Sequence, residues 1–286
     1  MTFARPLRAL RLDTELAVAT EAARQAGRLQ MERYERLERI VHKAAHDVVT
    51  EVDTLSENLI ISAIREAFPH DSVLAEESGR SDAGAHSSEG ADSPRQPARA
   101  VEPVDQRVWI IDPLDGTVNY ANGIPMFCVS IGLSIGGRPV VGVVYDPTRD
   151  EMFTAQAGAG AKLDGMPIRH PGKDKLSDCV VSLSLPHRGW ATRDRNVRRA
   201  IRVSRNMGSA ALAIAYLANG RFDAVVQAGG LSLWDICAAG LIAIEGGARL
   251  TALDGGPWFD ISRASKSISL LGAAPHHHET LLEMLR

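Results

Sequence analysis

The segment from Trp109 to Tyr120, WIIDPLDGTVNY, constrains this chain more than any other. An apolar run ends in two carboxylates three residues apart, Asp112 and Asp115, and then meets a Gly-Thr pair that has the form of a helix start. Hard cations take oxygen ligands, which the two acids supply and to which an inward-turned carbonyl of Leu114 can add. The first N–H groups of a helix lack partners, so Gly116 and Thr117 can offer theirs to an anion. The same residues also fit simpler roles, because Asp-Pro opens turns and Asp-Gly closes hairpins.

Three further segments carry acids in related settings. Thr54 and Glu57 have the T-x-x-E spacing of a capping box, which predicts a helix from Thr54 to Phe68 with Asp53 just before its start. In SVLAEESG a short strand ends in Glu76 and Glu77, adjacent acids that repel unless a cation or separate environments accommodate them. In LSLWDICAAGLIAIEGG, Trp234 and Asp235 precede an apolar run of helical length that ends at Glu245 and a Gly-Gly stop. Each acid alone fits a cap, a solvated pair or a helix-dipole partner. All four segments nevertheless set a carboxylate at the edge of a regular element beside small residues, and together they read as one site.

In order and approximate spacing, DVVTEVD, AEES, DPLDGTVNY, the Gly208-Ser209-Ala210 turn and WDICAAG resemble the inositol monophosphatase family of magnesium-dependent, lithium-sensitive phosphatases, over nearly the whole chain. The resemblance implies an α+β fold, the layered α-β-α-β-α sandwich of sugar phosphatases and inositol monophosphatases. It implies a single domain over 1–286, with an N-terminal α+β half at about 13–176, a C-terminal α/β half at about 177–286, and the metals at their junction. By the same resemblance Glu76, Asp112 and the Leu114 carbonyl hold a first Mg2+, Asp112, Asp115 and Asp235 hold a second, and a third, weaker ion leans on Glu76 and waters. Thr117, with Asp53 and Glu76, would orient and deprotonate the attacking water. The Gly116 and Thr117 amides would receive the phosphate, and Gly208, Ser209 and Ala210 would line the alcohol side together with Asp235. Family habit further implies a homodimer.

The chemistry agrees with this assignment on its own terms. A phosphomonoester dianion repels hydroxide, and its hydrolysis develops charge on entering and leaving oxygens; two divalent ions about 3.5–4 Å apart answer both problems. A threonine hydroxyl is far from ionised at neutral pH, so Thr117 orients while Asp53 and the other carboxylates handle protons. Substrate is less constrained. Members acting on inositol phosphates carry a glutamate shortly before the Trp-Asp pair, whereas VVQAGGLSLWD offers Gln227 at an altered spacing. The AGG-x-x-x-WD spacing is similar to the branch that acts on adenosine bisphosphates, and DGTVNY to the inositol monophosphatase branch. The expected activity is hydrolysis of a small phosphorylated alcohol such as inositol monophosphate. Nucleotide bisphosphates, fructose 1,6-bisphosphate and histidinol phosphate stay open as alternatives. A catalytically silent regulatory or interaction protein is the rival of another class, and the complete acid set with Thr117 speaks against it.

A chain of 286 residues with 45% hydrophobic and 23% charged residues has ample material for a core, and a net charge of −3 gives no sign of a nucleic-acid partner. The arginines at 188, 193, 195, 198, 199, 202 and 205 read as the solvated face of a helix. Cys128, Cys179 and Cys237 lack metal-ligand spacing and read as buried reduced thiols, which predicts a cytoplasmic protein. No apolar run reaches membrane-spanning length. Helical patterning over Asp13 to Leu37 predicts a partner for the Thr54 helix on one sheet. Residues 80–106, rich in Ser, Ala, Gly and Pro, read as a flexible surface loop. The run from Phe127 to Leu163 predicts antiparallel strands, and LDGMPI a tight hairpin. His276, His277 and His278 open a helix and point in different directions, so they are set aside as ligands.

Overall fold

The computed structural model describes residues 12–35, 40–44, 47–82, 106–186 and 188–286. The chain runs α1 (Asp13–Arg33), β1 (Ile40–Ala44), β2 (Asp47–Thr50), α2 (Glu51–Ala67), β3 (Ser72–Ala75), β4 (Gly79–Ser81), β5 (Arg107–Asp115) and α3 (Thr117–Ala121). Strands β6 (Cys128–Ile135), β7 (Arg138–Asp146), β8 (Glu151–Gln156), β9 (Gly160–Leu163), β10 (Met166–Ile168) and β11 (Val180–Ser184) follow. The rest comprises α4 (Ala191–Ala200), β12 (Val203–Arg205), α5 (Ala210–Ala215), β13 (Ala224–Leu231), α6 (Leu233–Glu245), β14 (Arg249–Thr251), β15 (Ile268–Ala273) and α7 (Pro275–Leu285).

Two mixed sheets organise these elements. One has eight strands in the order β10-β9-β8-β7-β6-β5-β3-β4; the other has five in the order β12-β11-β13-β15-β14. Strand β5 shows how the layers arise. Its residues alternate faces, so Trp109 and Ile111 join the core beneath α1 and α2 while Val108 and Ile110 join the core around α5 and α6. The outer face of the five-stranded sheet packs Val181 and Leu183 against Val197 of α4 and Leu281, Leu282 and Leu285 of α7. The result is the layered sandwich expected, α1/α2, sheet, α5/α6, sheet, α4/α7.

Helix α6 comes unusually near the large sheet because Gly132 and Gly142 stand opposite each other on β6 and β7. A Cβ added at Gly132 would lie 2.6 Å from Cys237 Sγ, and one at Gly142 would lie 2.6 Å from the Ala238 carbonyl oxygen. Both contacts are far inside van der Waals range, so the pair forms a saddle for the helix.

Several local expectations hold. Strands β6, β7 and β8 pair antiparallel, and Asp164-Gly165 joins β9 to β10 as a two-residue hairpin with φ of 51° and 78°, the backbone a type I′ turn needs. Boundaries shift elsewhere. Helix α1 stops at Arg33, short of Leu37, where Tyr34 leaves helical geometry. Helix α2 begins at Glu51, three residues earlier than the Thr54 signal predicts: the Thr50 hydroxyl accepts from the Val52 N–H and the Thr50 N–H donates to Asp53 Oδ2 at 2.8 Å. Asp53 is therefore inside the first turn of the helix, and Glu57 has a different partner. At the start of the expected 80–106 loop, Arg80 and Ser81 instead pair as strand with Leu74 and Val73; residues 83–105 lie outside the described residues.

Candidate metal centre

In a regular strand, residues three apart face opposite sides of the sheet, so Asp112 and Asp115 would not meet. Here Asp112 pairs with Ser130 and Asp115 with Cys128, three steps on β5 against two on β6, and this bulge turns Asp115 to the side that Asp112 faces. Gln30, buried on α1, donates from Nε2 to the Pro113 carbonyl at 2.7 Å and so holds the bulge. Asp112 Oδ1 accepts the Leu114 N–H at 3.1 Å. Gly116, with φ of 96°, then turns the chain into α3; a Cβ there would stand 2.8 Å from the Met126 carbonyl oxygen.

Asp235 arrives from α6, where it is the third helical residue and accepts the Ser232 N–H at 2.6 Å in a capping box. One carboxylate oxygen from each of Asp112, Asp115 and Asp235 lies within 4.8 Å of the others. Glu76 follows β3 in a turn whose first N–H donates to the Ile111 carbonyl at 3.2 Å, and its carboxyl is hydrogen-bonded to Asp112. Asp53 Oδ1 lies 3.0 Å from the Thr117 hydroxyl, which is also 2.9 Å from the Leu114 carbonyl. Asp53, Glu76, Asp112, Leu114, Asp115, Thr117 and Asp235 thus gather at the ends of β5 and β3 and the starts of α2, α3 and α6.

The electrostatics of this group are those of buried acids that repel one another, with the Lys266 charge pulling against the rise only at Asp235. Burial, and then the charges of Glu76, Asp115 and Asp235, hold the Asp112 carboxyl well above the usual carboxylate range. Burial and the Asp115 charge raise Asp235 to about 7. Asp115 is also raised by burial, against the pull of the Ser209 hydroxyl and the Ala210 and Ala211 N–H groups it accepts from. Burial lifts Asp53 to about 6, opposed by its bonds to Thr50 and Thr117. Asp112 and Asp115 are 2% and 7% exposed, and buried carboxylates this close are accommodated when a cation replaces their protons. The donor set is entirely oxygen, which suits magnesium, calcium or manganese and not a soft metal.

A cavity of about 250 Å³ opens beside the acids and is lined by Gly208, Ser209, Ala210, Gln227 and Asp235, every one of them a predicted substrate contact. Ser182, Ser184 and Asn206 line it too and were not predicted. The alternation in CVVSLSL carries the signal for the two serines, since it puts Val181 and Leu183 into the core and Ser182 and Ser184 on the opposite face. Pairing of β13 with β15 is irregular between Gln227 and Leu231, and the Gln227 amide donates to the Gly229 carbonyl at 3.2 Å.

Residues 11–286 match the model of the inositol monophosphatase family. The chain belongs to the inositol monophosphatase family. Among curated family members, the Nus factor SuhB of Pasteurella multocida is 38% identical over 249 residues, covering 84% of this chain and 86% of that protein. The inositol-1-monophosphatase of Mesorhizobium japonicum is 36% identical over 249 residues, with the same coverage. Among solved structures, the extragenic suppressor protein suhB of Bartonella henselae superposes with a TM-score of 0.82 at 31% identity, covering 96% of this chain and 98% of that one. Family membership supports a phosphatase and confirms the layered sandwich.

The remaining residues singled out in the sequence fall elsewhere. His276 and His277 lie 2.8 and 2.7 Å from the Lys173 carbonyl, and His278 is buried 3.1 Å from the Thr251 hydroxyl, all at the start of α7. The three cysteines are unpaired and buried. Arg195, Arg198 and Arg199 are exposed on α4. Among the described residues no helix is long and apolar enough to cross a membrane.

Proposed function

We propose that this chain is a magnesium-dependent phosphomonoesterase acting on a small phosphorylated alcohol such as inositol monophosphate. The observation that carries the reading is the convergence of Asp112, Asp115 and Asp235 within 4.8 Å at the mouth of a cavity with a hydroxyl- and amide-bearing wall. Glu76, Asp112 and the Leu114 carbonyl would hold one ion, and Asp112, Asp115 and Asp235 another, with a third leaning on Glu76. Bound there, magnesium supplies charge neutralisation for the ester and an acidified water as nucleophile. Thr117 would orient the attacking water by its hydroxyl, and Asp53, raised to about 6, would take a proton through Thr117 near neutral pH. The Gly116 and Thr117 N–H groups receive the phosphate.

The alcohol side favours one phosphate over two. Among the described residues the cavity has no Lys, Arg or His on its wall, and its only charged residues are Asp115 and Asp235. A second phosphate would be desolvated there without a cation, which is unfavourable. Gln227, Ser182 and Ser184 instead offer neutral partners to hydroxyls. The test is phosphate release from inositol 1-phosphate, histidinol phosphate, fructose 1,6-bisphosphate, adenosine 3′,5′-bisphosphate and NADP, each with magnesium, with chelator and with lithium. The expected result is magnesium-dependent, lithium-inhibited release that is more than about tenfold faster from a monophosphate than from either bisphosphate, a gap of about 1.4 kcal/mol. No release from any compound would overturn the phosphatase reading, and faster release from a bisphosphate would overturn the substrate class.

A second reading is supported by α4. The stretch 188–205 holds seven arginines and one acid, Asp194, and a groove of about 490 Å³ runs between Leu185, Pro186 and the arginines at 195, 198 and 199. Some relatives are named Nus factor SuhB, and we propose that this surface gives the chain a regulatory protein contact alongside its catalysis. We also propose a cytoplasmic homodimer; sedimentation that shows only monomer at every concentration would overturn the assembly.

A further inference from the structure

Glu57 carries a role that neither capping nor catalysis assigns. It lies in the second turn of α2 and is 3% exposed. Its Oε2 accepts the Glu77 N–H and its Oε1 the Ser78 N–H, each at 2.8 Å. These are the two amides that immediately follow Glu76. The Glu76 N–H in turn donates to the Ile111 carbonyl on β5, one residue before Asp112. The backbone of Glu76 is thus tied on one side to the strand that carries Asp112 and on the other to a buried carboxylate of α2. Asp53 is four residues before Glu57, so both acids project from one face of the helix, Asp53 to Thr117 and Glu57 to the Glu76 turn.

We infer that Glu57 is a positioning residue for the metal cage, fixing the turn that sets the Glu76 carboxyl against Asp112. This rests on the reading that Glu76 and Asp112 hold a divalent ion. An ionised carboxylate is the group best suited to the task, because both its oxygens accept and charge-assisted bonds are the stronger kind. A glutamine in its place has one acceptor and turns an NH2 group toward the second amide, leaving a buried N–H unpaired and the turn free to rock. Outer partners of this sort hold ligands in register for an ion they never touch.

The molecule contains its own control. Glu245, at the end of α6, accepts the Gly158 and Gly160 N–H groups at 2.8 Å each, the same double bond to a turn, between β8 and β9 and away from the cage. Magnesium binding to the full chain is measured by calorimetry after chelation, and thermal stability is measured in chelator, for the parent, Glu57→Gln and Glu245→Gln. The expected result is a magnesium affinity about 10- to 100-fold weaker for Glu57→Gln. Glu245→Gln, whose two bonds are partly exposed, should lower the melting temperature by less and bind magnesium as the parent does. Parental affinity in Glu57→Gln, or an equal loss of affinity in both variants, would overturn the inference. Should Glu57→Gln fail to fold, Glu57→Asp keeps charge and both acceptors but draws the turn in by one methylene; a weakened affinity supports the role and a parental one removes it. Glu76→Gln separates the two levels, since unaltered magnesium binding there would remove the ligand assignment itself.

Discussion

Helices α2 and α6 begin with the same device and end up in different chemistry. In each an acid at the third helical position, Asp53 or Asp235, accepts the N–H of the capping residue, Thr50 or Ser232, at 2.8 and 2.6 Å. The second oxygen of Asp53 meets the Thr117 hydroxyl, and its carboxyl titrates at about 6, where burial outweighs the bonds that favour the charge. Asp235 faces Asp112 and Asp115, and burial with the Asp115 charge takes it to about 7. A local motif can thus fix where a carboxylate stands while the elements folded against it decide what it does. In the proposed mechanism the first serves as a proton partner for a hydroxyl and the second as a ligand for a cation.

Replacing each acid by its amide separates these roles, because asparagine keeps an oxygen for the cap and discards the charge. The largest effect is expected from Asp235→Asn: turnover falls by about 10³-fold, magnesium affinity falls with it, and the chelated protein is no less stable than the parent because a repelling charge has gone. Loss of turnover with parental magnesium affinity in calorimetry would show that Asp235 is no ligand. For Asp53→Asn the expected loss in kcat is about 10²-fold, with magnesium affinity close to the parent's and a flattened acid limb in the pH profile. If both variants lost metal affinity equally, the contrast between the helices would collapse.

The two acids also share a dependence on pH. Both acids hold protons in the metal-free fold that the unfolded chain, with carboxyl groups near 3.8, has already released. Stability of the chelated protein therefore falls as pH rises from about 4 to about 7. Saturating magnesium should flatten or invert the slope, because an ion selects the ionised acids. Melting curves from pH 5 to 8 with chelator and with magnesium measure this, and a chelated protein that gained stability across the window would contradict the raised values.

Much of this centre was legible in the sequence, and the reason is local. The acids of DPLDGT, AEES and WDICAAG sit at element ends that capping, turn and periodicity signals reveal. What the sequence did not disclose depends on distant partners. The T-x-x-E spacing pointed to Thr54 and Glu57 as a cap, but the cap is Thr50 with Asp53, because the Glu57 side chain is drawn to amides 20 and 21 residues away. The bulge that brings Asp112 and Asp115 to one side is a property of pairing with β6 and is invisible in β5 alone. Strand β12, Val203–Arg205, is an edge strand within an arginine-rich stretch whose composition suggests solvent, and it pairs only because β11 runs beside it.

The glycine saddle at Gly132 and Gly142 bears on the cage from a distance. Helix α6 carries Asp235 at one end and rests on that saddle through Cys237 and Ala238, so the spacing of the acids is gauged by two missing methyl groups in the sheet. Adding one would lift the whole rod and with it the carboxylate, widening the grip on an ion without altering any residue that touches it. If the acids hold an ion as proposed, its fit to cations of different radius rests on the floor of the molecule as well as on the acids themselves.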